Sequence, residues 1–249
     1  MQIIDYQEVI MSKQKIIRIP IMPFGMVNAH LVVGDAGCIL VDAGVPGSEV
    51  KVEKTLKDHG LSFGDIKLIV VTHAHGDHAG AALAIREKSQ APIVAHINEV
   101  KHLNREEPMS YCTTGLFGKL FLKTPIPHVH YDAVIPDIVL NKHDKLDLND
   151  YGVAGVVGHT PGHTEGSISV DLDSNDALVG DLVASGIFLG GLMRTHRAIR
   201  PPFEDDPHTT GLTLMKMVDS GVQRFHLGHG GPLPSAEVSR HARFLLNHQ

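Results

Sequence analysis

The sequence predicts a layered α/β fold, and three observations carry that expectation. Strand-like and helix-like patterns alternate through the first half of the 249 residues. Ile66–Thr72 (IKLIVVT) is a nearly continuous apolar run, of the kind that fills a strand buried on both faces. An apolar fraction of 43% with 20% charged residues is that of a globular chain and excludes disordered, coiled-coil and fibrous classes.

Taken in order, Lys15–Ile21, Ala29–Val33 and Gly37–Val41 read as short β-branched strands, separated by Pro/Gly and Asp-Ala-Gly turns. Ser48–His59 has helical periodicity and stops at Gly60. The buried strand Ile66–Thr72 follows, then a helix over Asp77–Lys88, a strand over Pro92–Ala95 and a short helix over Asn98–Leu103. Residues 104–144 hold four prolines and little periodicity, which predicts a long irregular lid. Strands resume at Val153–Val157, Ser167–Asp171, Ala177–Gly180 and Gln223–Leu227, interrupted by a second irregular segment over 186–207. Helices over Thr209–Ser220 and Ser235–Leu246 close the chain. No linker or low-complexity tract divides it, so a single domain over residues 1–249 is expected.

A net charge of −6 gives no electrostatic footprint for nucleic acid or an anionic membrane, and no apolar stretch approaches the roughly 18 residues of a membrane helix. The N-terminus lacks the charged start and apolar core of a signal peptide, which leads us to expect a cytoplasmic protein, with Met1 or Met11 as its start. Cys38 and Cys112 do not make a disulfide framework and are too few for a thiolate zinc site. The 18 histidines stand out instead, and point to a metal site of imidazole and carboxylate.

Thr72-His73-Ala74-His75-Gly76-Asp77-His78 directly follows the buried strand. In extended chain, residues two apart share a side, so His73 and His75 converge. If a helix begins next, Asp77 and His78 lie in its first turn and offer an oxygen and a nitrogen to a second nearby point. Four ligands within six residues suit two adjacent divalent ions; the competing explanation is a run of solvated histidines at a strand end. Ligands without thiolate favour zinc, with manganese or iron as alternatives. Further candidates follow strand ends in the second half: His163 in Gly158-His159-Thr160-Pro161-Gly162-His163, Asp181 after Gly180, and His229 in Gly228-His229-Gly230-Gly231. Each alone is more often a cap or turn residue; their combination with the first cluster is what gives them weight.

With these residues in this order, from Asp42-Ala43-Gly44 to His229, the chain resembles the metallo-β-lactamase-fold hydrolases over nearly its whole length. The resemblance implies a four-layer αββα sandwich of two mixed sheets flanked by helices. It implies that His73, His75 and His163 bind one zinc, that Asp77, His78 and His229 bind a second, and that Asp181 bridges them. It further implies that Asp42 orients the ligands by hydrogen bonds, and that a metal-bridging hydroxide attacks the substrate while Asp77 handles the proton. A bridging aspartate resembles the thioesterases, lactonases and phosphodiesterases of the family more than its β-lactamases. The expected reaction is therefore hydrolysis of a small ester, lactone or thioester. The alternatives are β-lactam hydrolysis as a main or side activity, phosphodiester hydrolysis, and a mononuclear-iron oxidoreductase like the persulfide dioxygenases.

Substrate contacts are expected from the two irregular segments. Phe117, Leu120, Phe121 and Ile126 line an acyl pocket or else pack the lid; Arg194, His196 and Arg197 meet an anionic group or else remain solvated. Tyr111 or Tyr131 is a candidate donor to a developing oxyanion. The expected partner is a small-molecule substrate, with no nucleic acid and no membrane, and homo-oligomerisation is left open.

Overall fold

The computed structural model describes residues 14–187 and 192–248. The alternative start at Met11, the N-terminal stretch and residues 188–191 of the second irregular segment lie outside these.

The first sheet has the order β1(Lys15–Pro20), β2(Asn28–Val33), β3(Cys38–Val41), β4(Ile66–Val70), β5(Ile93–His96), β6(Ile138–Leu140). Its β1–β2 and β2–β3 pairs are antiparallel, and the three pairs from β3 to β6 are parallel. The second runs β14(Leu233–Pro234), β13(Arg224–His226), β10(Asp176–Leu178), β9(Ile168–Leu172), β8(Gly155–His159), β7(Lys145–Asp147), with only β10–β13 parallel. A two-stranded ribbon, β11(Ala184–Ser185) with β12(Ala198–Ile199), stands apart.

Strand alternation sorts the apolar side chains into three layers. Cys38 and Leu40 of β3 point to one side, with Val52 and Leu56 of α1(Glu49–Asp58), and with Ile85 of α3(Ala82–Ser89). Ile39 and Val41 point to the other side and pack between the sheets, against Val157 of β8 and Ile168, Val170 and Leu172 of β9. Outside the second sheet, Phe225 packs with Leu214 of α6(Pro207–Asp219) and with Val238 and Ala242 of α7(Ser235–Asn247). The order helix, sheet, sheet, helix is the αββα sandwich expected.

The single helix expected over Asp77–Lys88 is two, α2(Gly76–Ala79) and α3. The break lies where the chain presses on the turn after β3: a Cβ at Gly80 would come within 2.7 Å of Gly44 O and 2.6 Å of Pro46 Cδ. The first irregular segment is only partly irregular. It contains α5(Gly115–Phe121) and β6, and the latter is held at the sheet edge because Asp137 accepts a hydrogen bond from Ile93 N (2.9 Å) and pairs with Arg86 (2.9 Å). Between β5 and this segment lies α4(Ile97–Leu103).

The described part of the second irregular segment is tied to α7 by one carboxylate. Glu237 accepts from Ala198 N (2.8 Å) and from Arg240 Nη2 (2.7 Å), and lies 3.4 Å from Arg197 Nη1. The hydrogen bond from Arg240 is the main reason its carboxyl is pushed from an ordinary 4.5 down to about 2. A depressed carboxyl stabilises the fold above the unfolded value, and loses that contribution as the pH falls through the folded one. Denaturant melts of the parent and Glu237→Gln should therefore differ most above pH 4.5 and draw together as the pH falls toward 2.

Candidate metal centre

Seven ligand-type side chains meet at one end of the sandwich, just beyond strands β4, β8, β10 and β13. After β4 the chain bends at His73, is extended at His75 and then turns into α2, which carries Asp77 and His78. Three ring nitrogens converge: His73 Nε2 is 3.0 Å from His75 Nδ1, and His163 Nε2 is 3.1 Å and 3.2 Å from these two. Beside them, His229 Nε2 lies 3.4 Å from Asp77 Oδ2, and His78 Nε2 lies 3.8 Å from it. Asp181 stands between the two groups, with Oδ2 2.9 Å from His229 Nε2 and 3.8 Å from His163 Nε2, and Oδ1 3.3 Å from His78 Nε2. Six of the seven are buried; Asp77 alone opens outward, with 32% of its side chain exposed.

The donor atoms suit a cation better than one another. Within each of the groups His73, His75, His163, Asp181 and Asp77, His78, His229, the ligand atoms lie within 4.8 Å of one another. Three neutral imidazoles facing a common point cannot all pair with one another, since each facing nitrogen is either one N–H or one lone pair. Their 3.0–3.2 Å spacing is close to the edge of about 3.3 Å for a tetrahedron with metal–nitrogen bonds of about 2.0 Å. His78 Nε2 and Asp181 Oδ1 are buried and approach to 3.3 Å, yet neither has a hydrogen-bond partner. A buried lone pair left unpaired is costly, and a bound cation removes that cost.

Proton affinities divide along the same line. Burial pushes His75 down to about 4 and His163 to about 3, and it holds His73 well below the usual imidazole range. Burial opposes charge at His229 too, but Asp181 overcomes it and raises His229 to about 9. Burial is likewise outweighed at Asp181, whose carboxyl is held well below the usual range by His229 and His78.

The surroundings fix the ring orientations. Asp42, itself at φ 62°, accepts from Thr72 N (2.9 Å), Thr72 Oγ1 (3.0 Å) and His78 Nδ1 (2.8 Å), which turns His78 Nε2 toward Asp181. His229 Nδ1 donates to Met26 O. Gly228 is needed beside them, because a Cβ there would sit 2.3 Å from Asp181 Oδ1 and 2.5 Å from His78 Cε1.

Two positioning groups escape a reading of the sequence. The Asn28 amide donates toward four carbonyls (Gly25, Leu227, Gly228 and Gly230) at 3.1–3.4 Å and so pins the loop bearing His229. Glu99 is buried in α4 and accepts from Ala74 N (2.7 Å), Thr164 Oγ1 (2.8 Å) and Gly166 N (3.1 Å). Ala74 lies between His73 and His75, and Thr164 follows His163, so one carboxylate holds both imidazole-bearing loops. An acid in the first turn of a short helix reads from sequence only as a partner for the helix dipole.

Of the expected substrate contacts, Phe121 and Tyr111 line a cavity of about 180 Å³ above the cluster, with Met22, Ile126 and Phe203. The tyrosine hydroxyls point elsewhere: Tyr111 donates to Pro127 O (2.6 Å) and Tyr131 to Ala74 O (2.7 Å), so neither is free for an oxyanion. Tyr111 instead stacks its ring on His75 at 5.0 Å. Phe117 does not line this cavity; it stacks on Phe121 at 5.8 Å and borders a neighbouring cavity. Arg194 and His196 are exposed and outside the lining; nearby, Arg197 lies 3.4 Å from Glu237 of α7, and Arg200 pairs with Glu204 within the segment.

Fold and cluster together define a metal-dependent hydrolase class, and sequence comparison gives the family. The Metallo-beta-lactamase superfamily profile matches residues 22–216, and the chain belongs to that superfamily. It is 31% identical to the probable metallo-hydrolase MJ0888 of Methanocaldococcus jannaschii over 63% of this chain and 66% of that protein. It is 31% identical to the probable metallo-hydrolase YqgX of Bacillus subtilis over 72% of this chain and 74% of that one. The hydroxyacylglutathione hydrolase GloC of Haemophilus influenzae matches at 28% identity over 53% of this chain and 54% of its own length. The solved metallo-beta-lactamase family protein TTHA1429 of Thermus thermophilus shares the fold, with a TM-score of 0.65 and 23% identity over 94% of this chain and 78% of that one.

Glu99→Gln places an amide N–H against groups that are themselves donors. Chelator competition should show metal binding weakened about 10–100-fold, with far-ultraviolet circular dichroism unchanged; unaltered affinity would remove Glu99 from this role.

Proposed function

We propose that the chain hydrolyses a small ester, lactone or thioester with two zinc ions held by this donor set, iron or manganese being the alternative metals. One observation carries the reading: Asp181 stands between a three-imidazole group and an aspartate with two imidazoles, at the floor of an apolar cavity. His73, His75 and His163 would hold one ion and Asp77, His78 and His229 the other, with Asp181 shared. The metal, when bound, supplies Lewis acidity and a water acidic enough to be a nucleophile near neutral pH.

The chain's own residues do the remainder. Both carboxylates of the cluster line the cavity, but Asp77 is the more open, with 32% of its side chain exposed against 4% for Asp181, so it can take a proton there and return it to the leaving group. Met22, Phe121, Ile126 and Phe203 exclude water and offer an apolar wall to an acyl group. Among the described residues no Lys or Arg lines the cavity, which favours an uncharged acyl substrate over a phosphodiester. The similarity to a hydroxyacylglutathione hydrolase supports including thioesters.

Elemental analysis should find about two zinc per chain, and a panel of thioesters, lactones, esters, β-lactams and phosphodiesters should show turnover of the first three that a chelator abolishes. Full turnover in metal-free protein, or preference for a phosphodiester or β-lactam, overturns the reading. Asp77→Asn should lower kcat by about 10²–10⁴-fold, and a variant that retains its metal and full turnover contradicts the proton role.

A further inference from the structure

From Pro108 to Tyr131 the sequence runs PMSYCTTGLFGKLFLKTPIPHVHY, without one Asp or Glu in a chain that carries 28 of them. This stretch contains α5 and forms an outer wall of the cavity through Phe121, Ile126 and Val129. Its apolar side chains face outward to an unusual degree. Leu116 and Leu120, one helical turn apart, are 74% and 57% exposed, and Ile126 is 55% exposed. Lys119 and Lys123 are exposed beside them, and neither pairs with a carboxylate among the described residues.

We propose that this face docks on an anionic lipid bilayer, with Leu116 and Leu120 entering the acyl boundary and Lys119 and Lys123 among the headgroups. Protruding apolar residues flanked by cations, with no anion among them, complement a surface that is negative above and apolar beneath. Long lysine stems let the charge stay in water while the helix lies shallowly in the interface. A second copy of this chain is a poor occupant. A two-fold interface would bring the lysines of two copies of the same stretch together, with no carboxylate in that stretch to pair them. A helix of seven residues is also only about 10 Å long, small against the roughly 800 Å² that each partner of a stable dimer buries. The inference does not depend on the reaction proposed above.

The test is sedimentation of the full chain with vesicles of phosphatidylcholine alone and of phosphatidylcholine mixed with phosphatidylglycerol. The chain should pellet with the mixed vesicles at low salt, be released as salt rises, and stay in solution with phosphatidylcholine alone. Lys119→Gln and Lys123→Gln should each lower the partition coefficient about fivefold. Leu116→Asp combined with Leu120→Asp should abolish pelleting while leaving the melting temperature unchanged, as both side chains are exposed. Failure to pellet with the anionic vesicles overturns the proposal, as does equal binding to both compositions or binding that survives the leucine pair. Light scattering that shows a dimer, dissociated by that same pair, assigns the face to self-association and equally overturns it.

Discussion

Five imidazoles and two carboxylates share one largely dry space, and much of the surrounding structure answers to the cost of that burial. Polar groups out of water must be paired, and charges all the more so. The chain meets this demand from outside the cluster: Asp42 orients one ring, Met26 O another, and Glu99 takes three donors from the two loops that carry His73, His75 and His163. What those partners leave unmet lies at the centre. His78 Nε2 and Asp181 Oδ1 face each other without a hydrogen bond, and three ring nitrogens crowd one point. The outer contacts determine where the lone pairs aim, and the lone pairs select a cation.

The two sheets are the means of bringing these residues together. Asp42, His73, Asp181 and His229 come from four segments far apart in the chain, yet each lies just past the end of a strand. β3, β4 and β10 pack on one apolar layer and β13 pairs in parallel with β10, so their ends reach the same edge of the sandwich and the site inherits the rigidity of that layer. Glycine is required where backbones close in: Gly80 lets the α2–α3 junction meet the turn after β3, and Gly228 lets the last loop pass between Asp181 and His78.

That arrangement explains what was legible in the sequence. The strand Ile66–Val70 and the cluster after it could be read because burial on both faces leaves a continuous apolar run and the ligands are crowded into six residues. The layered α/β class followed from the alternation of patterns, and the αββα order from the resemblance alone. What stayed hidden was short or long-range. Strand β6 is three residues long and is held by Asp137, 44 residues from its hydrogen-bond partner Ile93, so no local period announces it. Asn28 acts on carbonyls about 200 residues away, and a single amide before a strand carries no sign of that. Phe117 and Phe121 look equivalent at helical spacing, and only the direction of α5 decides that one borders the cavity above the cluster and the other its neighbour.

Composition misleads most where it averages. The net charge of −6 describes the chain, but fields at a surface fall off over about 10 Å and respond to local balance. The acid-free stretch over Pro108–Tyr131 is such a locality, and it walls the cavity above the cluster. Its two faces do different things. Phe121 turns inward, where an apolar wall lowers the dielectric around the donor groups and strengthens every charge interaction there. Leu116 and Leu120 turn outward, where nothing in the chain's described residues covers them. A seven-residue helix has too little buried surface to be stabilised by propensity alone. It is held at its N-terminal cap and its middle instead: Thr114 N and the Thr114 hydroxyl donate to Pro202 O and Pro201 O, and a Cβ at Gly118 would lie 2.2 Å from Pro202 O. The wall of the cavity is thus fastened to the second irregular segment, and whatever meets the outer face of α5 bears on the same backbone that closes over the cluster.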